Sequence, residues 1–120
     1  MALVLVVEDS PGTQEKFRKA LEKAGHQVVL AADGNDAIGR AKSDKPDVIL
    51  MDIVMPEMNG FQATRKLTSD PDTAHIPVVM VTTKDQETDK VWGKRQGAVG
   101  YLTKPVSDEA LVNEVARVLK

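Results

Sequence analysis

Short apolar runs alternate along this chain with stretches whose apolar residues recur every three or four positions. Residues 3–7 read LVLVV, apolar at every position, as a strand must be when a parallel sheet buries both its faces. Similar runs at 27–31, 48–53, 76–81 and 99–103 predict four more strands. The intervening segments read as helices. Ser10-Pro11 supplies a cap and a first-turn proline, the stripe Phe17, Ala20, Leu21 and Ala24 faces inward, and Gly25 ends the helix. A second helix follows Asp33-Gly34-Asn35 and turns Ala37, Ile38 and Ala41 inward. A third follows Asn59-Gly60, and a fourth lies within residues 85–96. The last begins near Ser107, with Asp108 and Glu109 favourably set in its first turn and Leu111, Val112, Val115, Val118 and Leu119 as its buried stripe.

Five strands alternating with five helices predict an α/β fold, a doubly wound parallel sheet of flavodoxin-like order 2-1-3-4-5 with right-handed crossovers. The 120 residues suffice for one domain and carry no internal repeat or linker, so a single domain over 1–120 is expected. Aromatic residues are only 3% of the chain, which assigns the core to Val, Ile, Leu, Met and Ala. The five methionines read as core filler rather than as a binding surface.

Composition narrows the function by exclusion. The net charge of −2 offers no bulk attraction to nucleic acid or anionic membrane, and the basic stretch Lys90, Lys94 and Arg95 is too small for a nucleic-acid interface. No apolar stretch approaches the ~20 residues of a membrane span, and the first residues lack the basic start and cleavage site of a signal peptide. A soluble, cytoplasmic protein is therefore expected. The absence of cysteine excludes disulfides, zinc-thiolate sites and thiol catalysis. His26 and His75 flank strands in polar contexts and receive no function.

In open parallel sheets, ligands bind beyond the carboxyl ends of the strands, where the strand order reverses. The polar residues at those ends are Glu8-Asp9 after the first strand, Asp52 in the third, Thr82-Thr83 after the fourth, and Lys104-Pro105 after the fifth. Clustered carboxylates need a cation, and a site without imidazole or thiolate favours a hard one, Mg²⁺. A carboxylate nucleophile, a divalent ion and a fixed ammonium are the set that phosphoryl transfer demands. Asp52, a lone acid in an apolar run, is the natural nucleophile, with the Lys104 ammonium and Thr82 hydroxyl available to the phosphoryl oxygens.

With these motifs (Glu8-Asp9, Asp52 followed by Met55-Pro56 and Asn59-Gly60, Thr82, Tyr101, Lys104-Pro105) the whole chain resembles the CheY-like receiver domains of two-component response regulators. The resemblance implies that Asp52 accepts a phosphoryl group from a sensor histidine kinase. It implies that Mg²⁺ is bound by Asp9, Asp52 and the Val54 backbone carbonyl, with Glu8 assisting directly or through water. Thr82 and Tyr101 would act as switch residues, and the bond from Lys104 to Pro105 would be cis. Output would pass through a surface of the fourth helix, fifth strand and fifth helix, including Lys90, Trp92, Lys94 and Tyr101. Three positions depart from common patterns: Glu8 stands where Asp is commoner, and Val54 and Lys84 occupy two positions that tune phosphoryl lifetime. Val54 cannot orient an attacking water, while Lys84 can ion-pair nearby.

The segments LMDIVMPEMNGFQATRKL and VTTKDQETDKVWGKRQGA further resemble PilH-type regulators of type IV pilus twitching motility, which belong to chemotaxis-like pathways. A stand-alone, non-enzymatic module, monomeric or weakly dimeric, follows from that reading, acting either as an effector or as a phosphate sink for a shared kinase. Two other classes compete. A haloacid-dehalogenase-like phosphatase would need an acid at Val54, and a flavodoxin-like carrier would need hydroxyls and amides where Glu8-Asp9-Ser10-Pro11-Gly12 presents carboxylates.

Overall fold

The computed structural model describes all residues, 1–120. Five parallel strands form one sheet in the order β2-β1-β3-β4-β5: β1 is Leu3–Val7, β2 Gln27–Ala31, β3 Val48–Met51, β4 Val78–Thr82 and β5 Gly100–Thr103. Helices follow each strand: α1 Pro11–Lys23, α2 Gly34–Asp44, α3 Gly60–Ser69, α4 Glu87–Arg95 and α5 Asp108–Val118. The doubly wound order expected from the alternation is the one observed.

Strand pleating divides the core into two layers. Leu5, Val7, Ile49, Met51, Val78 and Met80 turn to one face, where Ala37 and Ala41 of α2 and Ala63 and Leu67 of α3 cover them. Val4, Val6, Val48, Leu50, Val79 and Val81 turn to the other, against Phe17, Ala20 and Leu21 of α1 and Leu111 and Val115 of α5. Met51 and Met80 are fully buried core and Met55 nearly so, whereas Met1 is exposed, so the reading of every methionine as core filler fails at the terminus, which packs on nothing.

Local chemistry sets the helix starts. The Ser10 side chain accepts from the Thr13 amide, Asp33 from Asp36, and Ser107 from Ala110. Asn59 and Gln62 form a reciprocal capping box at the head of α3. Gly60 is required there: a Cβ would overlap the Asp52 carbonyl and come within 2.8 Å of Ile53 Cα. Its amide donates to the Ile53 carbonyl at 2.9 Å, so α3 is pressed against the end of β3 and holds the backbone around Asp52.

Several boundaries differ from the sequence pattern. β3 stops at Met51, leaving Asp52 and Ile53 beyond the strand. β4 runs Val78–Thr82 instead of starting at residue 76. Pro77 has no amide proton to donate, and the Ile76 amide is used by the Thr73 carbonyl. β5 begins at Gly100, one residue later than expected. Ala24 is not part of the α1 stripe. It caps the helix, its amide bonded back to the last turn, and lies exposed. Leu119 likewise lies past the end of α5 and is more than a third exposed.

α4 departs most from the usual design. Only Gly93 of its nine residues is buried, while Val91 and Trp92 point outward. Gly93 faces the Tyr101 ring and Met80, and a Cβ there would lie 3.4 Å from Tyr101 and 3.5 Å from Met80, ordinary contact distances.

Candidate functional site

Asp52 follows β3 and is 7% exposed. Its amide donates to the Val7 carbonyl at 3.0 Å, which ties it to the neighbouring end of β1. One carboxylate oxygen accepts from the Val54 amide at 3.3 Å and the other faces Lys104 Nζ at 3.3 Å. Glu8, at the end of β1, is 2% exposed. It pairs through Oε1 with Lys104 Nζ and accepts from the Ser10 amide through Oε2 at 3.1 Å. Asp9 stands exposed beside them. Glu8, Asp9 and Asp52 each offer a carboxylate oxygen within 4.8 Å of the others.

Lys104 reaches this cluster from the end of β5, 52 residues beyond Asp52 and 96 beyond Glu8. The Lys104-Pro105 bond is cis, as the resemblance implied. The ammonium also lies 6.0 Å from the centroid of the Phe17 ring of α1. Burial alone would lower its pKa, but the ion pair with Glu8 and the charge of Asp52 more than offset this, and it is held above the ordinary lysine value. Glu8 moves up as well. Its burial outweighs the stabilising bonds from Lys104 and the Ser10 amide, and the charge of Asp52 adds to the rise. One ammonium thus serves two crowded carboxylates.

Thr82, wholly buried at the end of β4, accepts from the Lys84 amide at 3.4 Å. Tyr101 is half-buried on β5, and its hydroxyl donates to the Lys84 carbonyl at 2.6 Å. The expected ion pair of Lys84 is not found: no carboxylate lies within 4.0 Å of its ammonium, and what Lys84 contributes is its backbone. Val54 is exposed beside Asp52.

The Tyr101 phenol is pushed up to about 12, mainly by burial and further by Asp89, Asp85 and Asp52. It is the chain's single tyrosine, so a spectrophotometric titration reads it directly. The expected midpoint is near 12. Because the folded state holds this proton above the unfolded value of 10, the contribution of Tyr101 to stability declines as pH rises from about 10 through about 12. A midpoint near 10 would show that the ring is free in solution.

The residues grouped from sequence as one output surface do not share one face. Lys90, Lys94 and Tyr101 line a groove of about 450 Å³ between α4 and β5 with Ala98, Val99 and Gly100. Trp92 lies outside it, in a separate cleft with Glu87, Thr88, Val91 and Arg95. The reason is helical: residues 90 and 94 share a face one turn apart, and residue 92 lies well around the axis.

Two supporting residues escape a sequence reading. The Gln14 side-chain amide on α1 donates through Nε2 to the Glu8 backbone carbonyl at 2.5 Å, and Phe17, legible only as core, also underlies Lys104. The one available signal is their position in the first two turns after the Ser10 cap.

The chain belongs to the response regulator receiver domain family, whose model matches residues 4–116. Among curated relatives, it is 60% identical over 119 residues to protein PilH of Pseudomonas aeruginosa, covering 99% of this chain and 98% of that one. It is 41% identical to response regulator PleD of Caulobacter vibrioides over 114 residues, only 25% of that longer protein. Among solved structures, chemotaxis protein CheY4 of Vibrio cholerae superposes with a TM-score of 0.94 at 37% identity, covering 99% of both chains. The chain is therefore a receiver domain of two-component signalling, a class phosphorylated by histidine kinases and generally dependent on Mg²⁺ at an acidic cluster. No helix is long and apolar enough to cross a membrane.

Proposed function

We propose that residues 1–120 act as a single receiver unit that takes a phosphoryl group on Asp52 from a sensor histidine kinase and signals through altered protein binding. The likeness to PilH supports a role in type IV pilus or chemotaxis-like control. The observation that carries the reading is the Asp52 carboxylate, nearly buried, facing Lys104 and clustered with Glu8 and Asp9. In the transfer, an Asp52 oxygen bonds to phosphorus as the nitrogen–phosphorus bond of the donor phosphohistidine breaks. The electron pair stays on the imidazole nitrogen, which takes up a proton.

The donor set fits a hard divalent cation, since it holds oxygen ligands only. Asp9, Asp52 and the Val54 carbonyl would hold Mg²⁺, with Glu8 assisting, and the ion would neutralise charge on the transferring phosphoryl oxygens. Lys104 neutralises another phosphoryl oxygen. Thr82 turns its hydroxyl toward the modified Asp52, and Tyr101 then gives up the Lys84 carbonyl and changes rotamer. The groove of Lys90, Lys94 and Tyr101 changes shape with it and serves as the phosphorylation-dependent output face. Draining phosphoryl groups from a shared kinase is the second reading; the exposed Val54, which cannot hold the hydrolytic water, weighs against it, because a sink must lose its phosphoryl group to be reloaded. A phosphatase of the haloacid-dehalogenase type lacks its acid at the same position.

The test is phosphorylation with acetyl phosphate and Mg²⁺, followed by intact-mass spectrometry. One phosphoryl group is expected, labile to hydroxylamine as an acyl phosphate must be, and absent when a chelator removes the ion. No adduct, or one resistant to hydroxylamine, sinks the reading.

A further inference from the structure

The hydrogen-bond ladder of β1 ends at Val7, paired with Ala31 on one side and Met51 on the other. The next peptide, between Glu8 and Asp9, lies beyond the sheet and beside the acidic cluster. A main-chain carbonyl so placed needs a donor from elsewhere. Gln14 of α1 supplies it, donating through Nε2 to the Glu8 carbonyl at 2.5 Å, and no other donor of the chain reaches that oxygen. Gln14 lies one turn into the helix, where side chains lean back toward the N-terminus. It therefore reaches over the Ser10 cap to the end of β1. Its own amide donates to the Ser10 carbonyl at 2.9 Å, so the donor stands on a formed turn.

A peptide unit is planar, so the direction of its carbonyl sets ψ of the residue before it and φ of the residue after it. Here those residues are Glu8 and Asp9, two of the three acids whose oxygens lie within 4.8 Å of one another. Glu8 is also fixed by other means. Its amide donates to the Ala31 carbonyl at 2.9 Å, and its carboxylate is held by the Ser10 amide and Lys104. Asp9 lacks such supports: it is exposed, and its backbone bonds to no other group of the chain. The Gln14 bond is the nearest restraint on the direction in which Asp9 leaves the main chain.

We propose that Gln14 is a positioning residue for the bound cation: by holding the Glu8–Asp9 peptide it aims Asp9 at the point shared with Asp52, and it touches neither the ion nor the phosphoryl group. The proposal rests on the reading that these acids hold Mg²⁺. Groups that orient a metal ligand from behind contribute about 10–100-fold to metal affinity, and one acting through the main chain belongs at the low end of that range.

Gln14→Met keeps the length of the side chain and removes its donor. Calorimetric titration of the full chain with Mg²⁺ should show binding weakened about tenfold. The Asp9 amide resonance, which belongs to the held peptide, should shift even without the ion. The control is Thr73→Val, which removes a bond of the same kind, from the buried Thr73 hydroxyl to the Leu67 carbonyl at 2.6 Å, before the amino end of β4. It should lower the thermal midpoint by as much or more, yet leave Mg²⁺ affinity within about twofold. Phosphorylation of Gln14→Met by acetyl phosphate should be slow at limiting Mg²⁺ and return to within about twofold of the unaltered rate once the ion saturates. Unchanged Mg²⁺ affinity in Gln14→Met, equal weakening in Thr73→Val, or a rate deficit that persists at saturation overturns the proposal and leaves the cation site standing. An unaltered chain that binds no Mg²⁺ overturns both.

Discussion

Asp52→Asn should abolish acquisition of the phosphoryl group from acetyl phosphate while leaving the fold intact and its thermal midpoint unchanged or higher. The amide matches the carboxylate in shape but is too weak a nucleophile to form an acyl phosphate. It also removes one of two buried acids that compete for a single ammonium. Lys104 keeps Glu8 as partner, and the repulsion that helps raise the Glu8 pKa disappears. Mg²⁺ affinity should fall about tenfold or more, because a charged oxygen ligand is lost. Intact-mass spectrometry, calorimetric melting and Mg²⁺ titration read the three effects separately. An adduct persisting on the variant would assign the chemistry to another residue.

Lys104→Met is expected to damage both stability and transfer. Methionine retains an apolar stem of similar length, so packing beside Phe17 survives, but Glu8 and Asp52 are left without their cation. Removing one partner of a buried pair costs about 3–5 kcal/mol. The Lys104 side chain is 17% exposed and its end of the cluster opens to water, so a loss of about 2 kcal/mol is the expected value. The loss should depend on pH in a stated direction. Glu8 already binds its proton at higher pH folded than unfolded, so its contribution to stability falls as pH rises from the ordinary carboxylate range through its folded value. Without Lys104 the folded value rises further, and the variant's deficit should be largest at neutral pH and shrink in mild acid. Mg²⁺ should restore part of the stability, since it supplies the missing positive charge. Phosphoryl transfer from acetyl phosphate should slow about 100-fold or more, because a charge aimed at the developing oxygens is gone. Urea melts at neutral and acid pH decide the first point. A deficit independent of pH would mean that Lys104 acts through packing.

These two substitutions probe residues that were legible for different reasons. Asp52 stands out in the string VILMDI because an acid inside an apolar run needs an explanation. Lys104 does not stand out alone, and only the predicted strand order brings it to Asp52. The sheet order could be derived because parallel strands buried on both faces leave a continuous apolar run, and because right-handed crossovers prune the alternatives. The strand ends were less legible. β3 ends before Asp52 and β4 starts after Pro77, since the hydrogen-bond ladder, not hydrophobicity, decides where a strand stops. Ala24 and Leu119 fit their stripes by spacing yet lie past the last turn, where no partner covers them.

Trp92 shows the same limit more sharply. Its position in the chain groups it with Lys90, Lys94 and Tyr101, but the rotation of α4 turns it onto another face. The helix itself is placed within residues 85–96 by the alternation of elements. Which side of it meets the sheet is seen only in the fold, where Gly93 is the one α4 residue buried, over Tyr101 and Met80.

The sequence by itself determined the alternation of elements, the identity of the five strand-end side chains and the hard, all-oxygen character of the site. Those follow from periodicity and residue chemistry, which are local. Tertiary structure alone decided that Lys104 pairs with Glu8 as well as Asp52, that Gln14 and Phe17 support them, and that the apolar face of α4 is uncovered. Each of these depends on distances between residues far apart in the chain, and no local pattern encodes a distance.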